Sequence, residues 1–346
     1  MDFGIMLILL GLLVGTLSFQ SKYEPNGNDA FFDINNSKAM RGFWCIVVIL
    51  VHVPAEHQNQ IQDMIGSFAY IGVSFFFMTS AFGLATNLKK HNTLRGFWLM
   101  RLPNLLIPDW LVNLVFAILS LVFLHSPLPW SIIVINPWVK NLLVCYFFFW
   151  VSCLFFKTEK ARTIGIITGV FLFSFVFKIL DILTDIELRI WYTELFGFIW
   201  GILLYRYYEP IKHIFQKHWK NCCIILLITS LLLGILYLYL KPVVFFGDYC
   251  LKIVLGLSIL SLILALNSKI RIGNKVNLFL GEISFEVYLI HEWAFTFVSK
   301  WFPNLCSSVF ILLSIIITIL FSTIIHHIAK KLISMCKKAT VAYYRQ

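Results

Sequence analysis

The chain has 346 residues, of which 60% are hydrophobic and 13% charged, with a net charge of +11. A water-soluble domain keeps about a quarter of its residues charged, so this chain cannot cover its surface with polar groups and must take lipid as solvent. One integral membrane unit follows rather than two or three globular domains. The basic excess lies in short loops, without a basic tail or aromatic RNA-binding motif, which argues against a nucleic-acid partner. The eight cysteines sit mostly in apolar runs, with neither metal-ligand spacing nor a disulfide framework.

Crossing a bilayer takes about 20 apolar residues. Runs of that kind recur at 3–20, 42–57, 66–86, 105–124, 139–156, 163–180, 188–205, 222–240, 248–266, 277–298 and 307–329. The expected fold is all-α: a polytopic transmembrane helix bundle of about eleven spans, a ten-helix core plus an N-terminal extra helix. The first run lacks a basic leader (its only early charge is Asp2) and is expected to be retained as a span. Segment 1–34 reads as that helix and a polar loop, 35–335 as the main membrane domain and 336–346 as a tail. The 125–138 segment, with Pro127, Pro129 and Pro137, reads as a loop along the interface.

The odd-numbered loops and the tail hold 22 of the 28 lysines and arginines, and the even-numbered loops hold the remaining six, Lys140, Lys178, Arg189, Lys241, Lys252 and Lys300. By the positive-inside rule the N-terminus lies outside and the C-terminus in the cytoplasm of a cell (inner) membrane.

Arg41 stands at the entrance of the second run and His52 eleven positions on, about three turns plus 20°, so they share a face roughly 16 Å apart along the axis. Ionisable groups inside a bilayer usually mark function. His52 falls in the outer half, where a neutral imidazole suits general-base work; packing against a neighbouring helix is the alternative. Pro54, Glu56 and His57 follow near the outer surface. Glu194, mid-span, is expected to be paired or protonated. His326 and His327 read as helix-end packing, Lys89 and Lys90 as orientation signals, and Glu282 and Glu286 have no assigned role.

Lys38-Ala-Met-Arg41-Gly42 followed by His52 resembles the opening motif of the acyltransferase-3 family of membrane O-acyltransferases. Gly72-Val-Ser-Phe-Phe-Phe-Met-Thr-Ser80-Ala81-Phe-Gly83 resembles its next span. Phe97-Trp-Leu-Met-Arg101-Leu-Pro-Asn104-Leu-Leu-Ile-Pro108 resembles its arginine-rich loop, and Leu280-Gly-Glu-Ile-Ser284-Phe-Glu-Val-Tyr288-Leu-Ile-His291 its last signature. The likeness covers about 35–300. The chain departs from it at Asn104, where a second arginine is common, and at Ala81, with the glycine displaced to Gly83.

The resemblance implies transfer of an acyl group, acetyl by family habit, from acyl-CoA to a hydroxyl of an extracytoplasmic or surface glycan, such as a bacterial exopolysaccharide. His52 would be the base and Arg41 would hold the donor. Arg101, Arg95 and Lys38 would bind acyl-CoA phosphates. His291 lies about 22 Å into its span, the same half as His52, with Ser284 on its face and Tyr288 beside it. These three, with Ser80 and Glu292, would orient the acceptor or stabilise the oxyanion. Acyl-CoA is a co-substrate, and no permanently bound cofactor or metal is implied. Rival readings are a glycan or lipid-linked-intermediate transporter (flippase), or a polysaccharide polymerase.

Overall fold

A computed structural model describes residues 3–28, 31–58, 64–125, 133–184 and 190–345. Half of the expected loop over 125–138, residues 126–132, lies outside these residues, as does Arg189, and its Pro137 starts a helix. No water is available in a bilayer core to satisfy backbone groups, so apolar runs close their hydrogen bonds internally as helices. Among the described residues thirteen α-helices result: α1 Phe3–Ser18, α2 Ile34–Val51, α3 Tyr70–His91, α4 Phe97–Leu124, α5 Pro137–Phe155, α6 Glu159–Leu183, α7 Phe196–Arg206, α8 Tyr208–Lys217, α9 Trp219–Leu240, α10 Lys252–Asn267, α11 Lys275–Glu282, α12 Ser284–Trp301 and α13 Ser307–Arg345. The only strands among the described residues, β1 Lys22–Tyr23 and β2 Ile270–Arg271, pair antiparallel with Lys22 opposite Arg271. Among the described residues, seven helical segments are long and apolar enough to span a membrane, and each expected span overlaps at least one helix.

The boundaries differ from expectation in places that matter. The second helix begins before its apolar run at 42: Asp33 accepts the Asn36 N–H at 2.7 Å on its side chain and caps α2. Arg41 therefore lies two turns inside α2 rather than at its entrance, and His52 is the residue that ends the helix. The stretch 97–108, expected as a loop, forms the first turns of α4 with Pro103 and Pro108 inside it. The run at 188–205 yields only the eleven-residue α7, about 16 Å long and too short to cross alone. The run at 277–298 breaks at Ile283 between α11 and α12, where the Ser284 hydroxyl donates to the Gly281 carbonyl at 2.9 Å. The tail is helical through Arg345.

Two close crossings hold the bundle together. A Cβ on Gly42 would strike the Asn277 carbonyl, and one on Gly281 would strike the Lys38 carbonyl, so α2 and α11 touch backbone to backbone. Gly197 and Gly201 likewise bring α7 against the carbonyls of Ser74 and Met78 on α3. Small residues at such positions let helices approach where lipid supplies no hydrophobic drive. The result places α2 beside both α3 and α12. Glu194 is buried and paired with Lys252 at 2.9 Å, as its mid-span position leads one to expect. Buried Lys178 pairs with Asp248 at 2.7 Å.

Candidate functional site

α2 ends at Val51, leaving the last carbonyls of the helix without intrahelical donors. The His52 ring turns back on one of them: Nδ1 lies 2.8 Å from the Val48 carbonyl oxygen. A carbonyl can only accept, so the ring proton sits on Nδ1 and Nε2 presents its lone pair. The same logic holds one helix away. His291 Nδ1 donates to the Tyr288 carbonyl at 2.7 Å, and its Nε2, fully buried, has no partner among the described residues. The two rings stand with centroids 4.9 Å apart. Exposed Glu292 completes a cluster in which one donor atom from each residue lies within 4.8 Å of the others. A shallow pocket of about 290 Å³, lined by His52, Pro54, Glu292 and Ser299, opens onto it.

The opposite end of the bundle carries Lys38, Lys330 and Lys337 and is here the basic end. Two cavities enter from it. One, about 750 Å³, runs from Asp33, Ser37 and Lys90 past Arg41, Asn104 and Ser80 to Trp138, Ser284 and Tyr288. Its inner wall is the Tyr288 ring, 5.3 Å from Trp138 and 5.8 Å from the His291 ring between centroids. The other, about 1100 Å³, is lined by Arg41, Asn104, Glu282, Glu286, His326, Lys330, Lys337 and Lys338. Arg41, Asn104 and Phe285 border both. The larger cavity lies farther from the histidine pair; the smaller one reaches the pair's doorstep.

Buried polar atoms nearly always find partners. Around the larger cavity three lack a hydrogen-bond partner among the described residues: Arg41 Nε, Glu286 Oε2 and His326 Nε2, the last 3.6 Å from Glu282 Oε1. Glu286 Oε1 takes the His326 Nδ1 contact at 3.0 Å, tying α12 to α13. A polar occupant of the cavity would complete these groups.

The remaining expected residues divide. Ser80 shares a 2.7 Å hydrogen bond with the Tyr146 hydroxyl on the wall of the smaller cavity. Ser284 lines it too, with its proton given to Gly281. Lys38 reaches Glu282 at 3.9 Å and lines neither cavity. Arg95 is exposed and Arg101 half-buried, and neither lines a cavity; Arg101 lies within electrostatic reach of Tyr146 and Lys337. The structure thus gathers His52, His291 and Glu292 at one place and Arg41, Ser80, Ser284 and Tyr288 at another close by. It leaves Arg95, Arg101 and Lys38 apart from both.

Sequence reasoning missed Glu286 and His326 as a cavity pair, although each is an ionisable residue in an apolar run, the signal that singled out His52. It also missed Lys337. That ammonium bonds Asn104 Oδ1 at 2.8 Å, so α13 places a cation at the position where the resemblance calls for an arginine on α4.

A family model described as an acyltransferase domain, acyltransferase-3, matches residues 29–327. No curated protein and no solved structure matches the chain.

Proposed function

The chain belongs to the acyltransferase-3 family of membrane acyltransferases, and from that premise we propose that it moves a short acyl group, acetyl first, from cytoplasmic acyl-CoA to a hydroxyl of an extracytoplasmic glycan. The basic end faces the cytoplasm of a cell membrane and the histidine pair faces the other side. The observation that carries this reading is the His52 ring, its Nδ1–H held by the Val48 carbonyl and its Nε2 lone pair open beside a pocket.

The acceptor enters by the pocket at Glu292. His52 Nε2 takes the proton of its hydroxyl as the oxygen attacks the thioester carbonyl. The carbon–sulfur bond then breaks, and the proton passes to the departing thiolate, giving ester and free CoA. General-base help of this kind contributes about 10²–10⁴-fold. His291, with its own proton committed to Tyr288, is an acceptor at Nε2 and orients a sugar hydroxyl rather than donating to an oxyanion. Hydroxyl donors for the oxyanion come from Tyr288 and Ser80. Lys330, Lys337 and Lys338 take the donor's phosphates at the rim, and Arg41 sits where the two cavities meet, on the route of the pantetheine arm.

The test is transfer of radiolabelled acetyl from acetyl-CoA to surface glycan by purified protein in proteoliposomes. His52→Ala is expected to lose about 100-fold or more in turnover while keeping the wild-type elution profile and melting midpoint. Wild-type turnover in that variant rejects His52 as the base, and movement of glycan without label rejects acyl transfer.

A further inference from the structure

We propose that His52, His291 and Glu292 form a binding site for a divalent transition-metal ion of the zinc class, and that its occupation reversibly blocks acyl transfer. The blocking half rests on the reading of His52 as base; the binding half does not.

The donor set is two imidazole nitrogens and a carboxylate, within 4.8 Å of one another. Zinc holds nitrogen and oxygen ligands at about 2.0–2.1 Å in a tetrahedron, which puts the donors about 3.3 Å apart. The cluster must close by up to about 1.5 Å to reach that geometry. Glu292 and His52 are exposed and can turn; His291 is buried and supplies the fixed corner.

Two further observations point to an ion rather than to a chance meeting of side chains. Each ring already gives its Nδ1–H to a backbone carbonyl, at 2.8 Å for His52 and 2.7 Å for His291. Metal-ligating histidines make this outer bond almost without exception, because it fixes the tautomer and aims the other nitrogen. And His291 Nε2 is buried with no partner among the described residues, a state that an occupant would relieve.

Imidazole with one carboxylate suits zinc, cobalt, nickel or copper rather than magnesium or calcium, which prefer oxygen alone. Three protein ligands leave a fourth position, and the pocket of about 290 Å³ gives room for water there. A metal on His52 Nε2 occupies the lone pair that would take the acceptor's proton, so the filled site cannot act as the base.

The experiment uses the full-length protein, stripped of metal in detergent, with its eight free cysteines alkylated so that thiols cannot bind the ion. Cobalt(II) is titrated and followed by its visible absorption. One equivalent with the intense bands of four-coordinate cobalt is expected, displaced by zinc. Glu292→Gln, an exposed substitution that should leave folding intact, and His291→Gln should each weaken binding about tenfold or more. Absence of saturable binding in the wild type, or unchanged affinity in both variants, overturns the site. In the transfer assay, half-inhibition by zinc should fall at its measured dissociation constant and shift with Glu292→Gln. Site-dependent binding without inhibition overturns the blocking role and counts against His52 as base; loss of activity in His52→Ala together with no cobalt binding by the wild type overturns the metal site alone and leaves the proposed function standing.

Discussion

Two histidine-bearing regions of this bundle differ in one respect, the partner of the ring. At the far end, His52 and His291 each give a proton to a backbone carbonyl, which fixes the tautomer and leaves an outward lone pair. At the basic end, His326 meets the buried carboxylate of Glu286 at 3.0 Å, with Glu282 at 3.6 Å and Lys330 bonded in turn to Glu282 at 3.0 Å. A ring on a backbone carbonyl keeps a lone pair outward, as His327 also does on the Thr323 carbonyl at 2.7 Å, and His52 sets that lone pair beside a pocket and a second ring; a ring between carboxylates ties two helices together. In the proposed function the same residue type does chemistry at one end, while at the other it ties α12 to α13.

Substitution at the two ends should separate these roles. His52→Ala is expected to cost about 10²–10⁴-fold in kcat with no change in melting midpoint, because an exposed ring at a helix end packs little. His326→Ala is expected to do the reverse in kind: it strips the partner from a buried carboxylate and costs about 3 kcal/mol of stability, read as a lowered midpoint in detergent. Adding Glu286→Gln to His326→Ala should recover part of that loss, since the uncompensated charge is gone. A His326→Ala protein with a wild-type midpoint and a collapsed kcat would erase the distinction.

The far end was the more legible of the two in the sequence, and the reason is physical. Burial of an ionisable group in lipid is costly wherever it occurs, so His52 stands out from its apolar run without any knowledge of neighbours, while His291 is singled out by the family resemblance. The apolar runs themselves fix the helices, because lipid leaves the backbone no other solution. What the sequence conceals is contact. Glu286 and His326 are 40 positions apart, and their pairing depends on how α12 meets α13. The break at Ile283 depends on Gly281 lying against Lys38, a partner more than 200 positions away. Arg95 lies six positions before Arg101, but Gly96, at φ +69°, turns the chain between them, and Arg95 lies on the exposed side, outside both cavities.

The contact at Gly281 offers an intermediate test. Gly281→Ala places a methyl where the Lys38 carbonyl already sits, so α11 must back away from α2. Overpacking of this kind costs about 1–3 kcal/mol, and the shift also moves the start of α12, which carries His291. Both the midpoint and kcat should fall, unlike the single-sided effects of the two histidine substitutions. Gly15→Ala, at an exposed position of α1, is the control, since a Cβ there meets nothing within 4 Å.

The smallest expected effect sharpens the basic end further. If that end binds the donor and takes no part in the chemistry, loss of one of its cations should weaken binding of ground state and transition state alike. Lys337 borders the larger cavity and bonds Asn104, which borders both cavities. Lys337→Ala should therefore raise KM for acetyl-CoA while leaving kcat in place; a charge-assisted bond at a partly exposed site is worth about 1 kcal/mol, or roughly fivefold. Arg95→Ala, outside both cavities, should change neither constant beyond the error of the assay. A fall in kcat with unchanged KM for Lys337→Ala would mean that the cation acts on the transition state, and the basic end would then share in the chemistry assigned to the histidine pair.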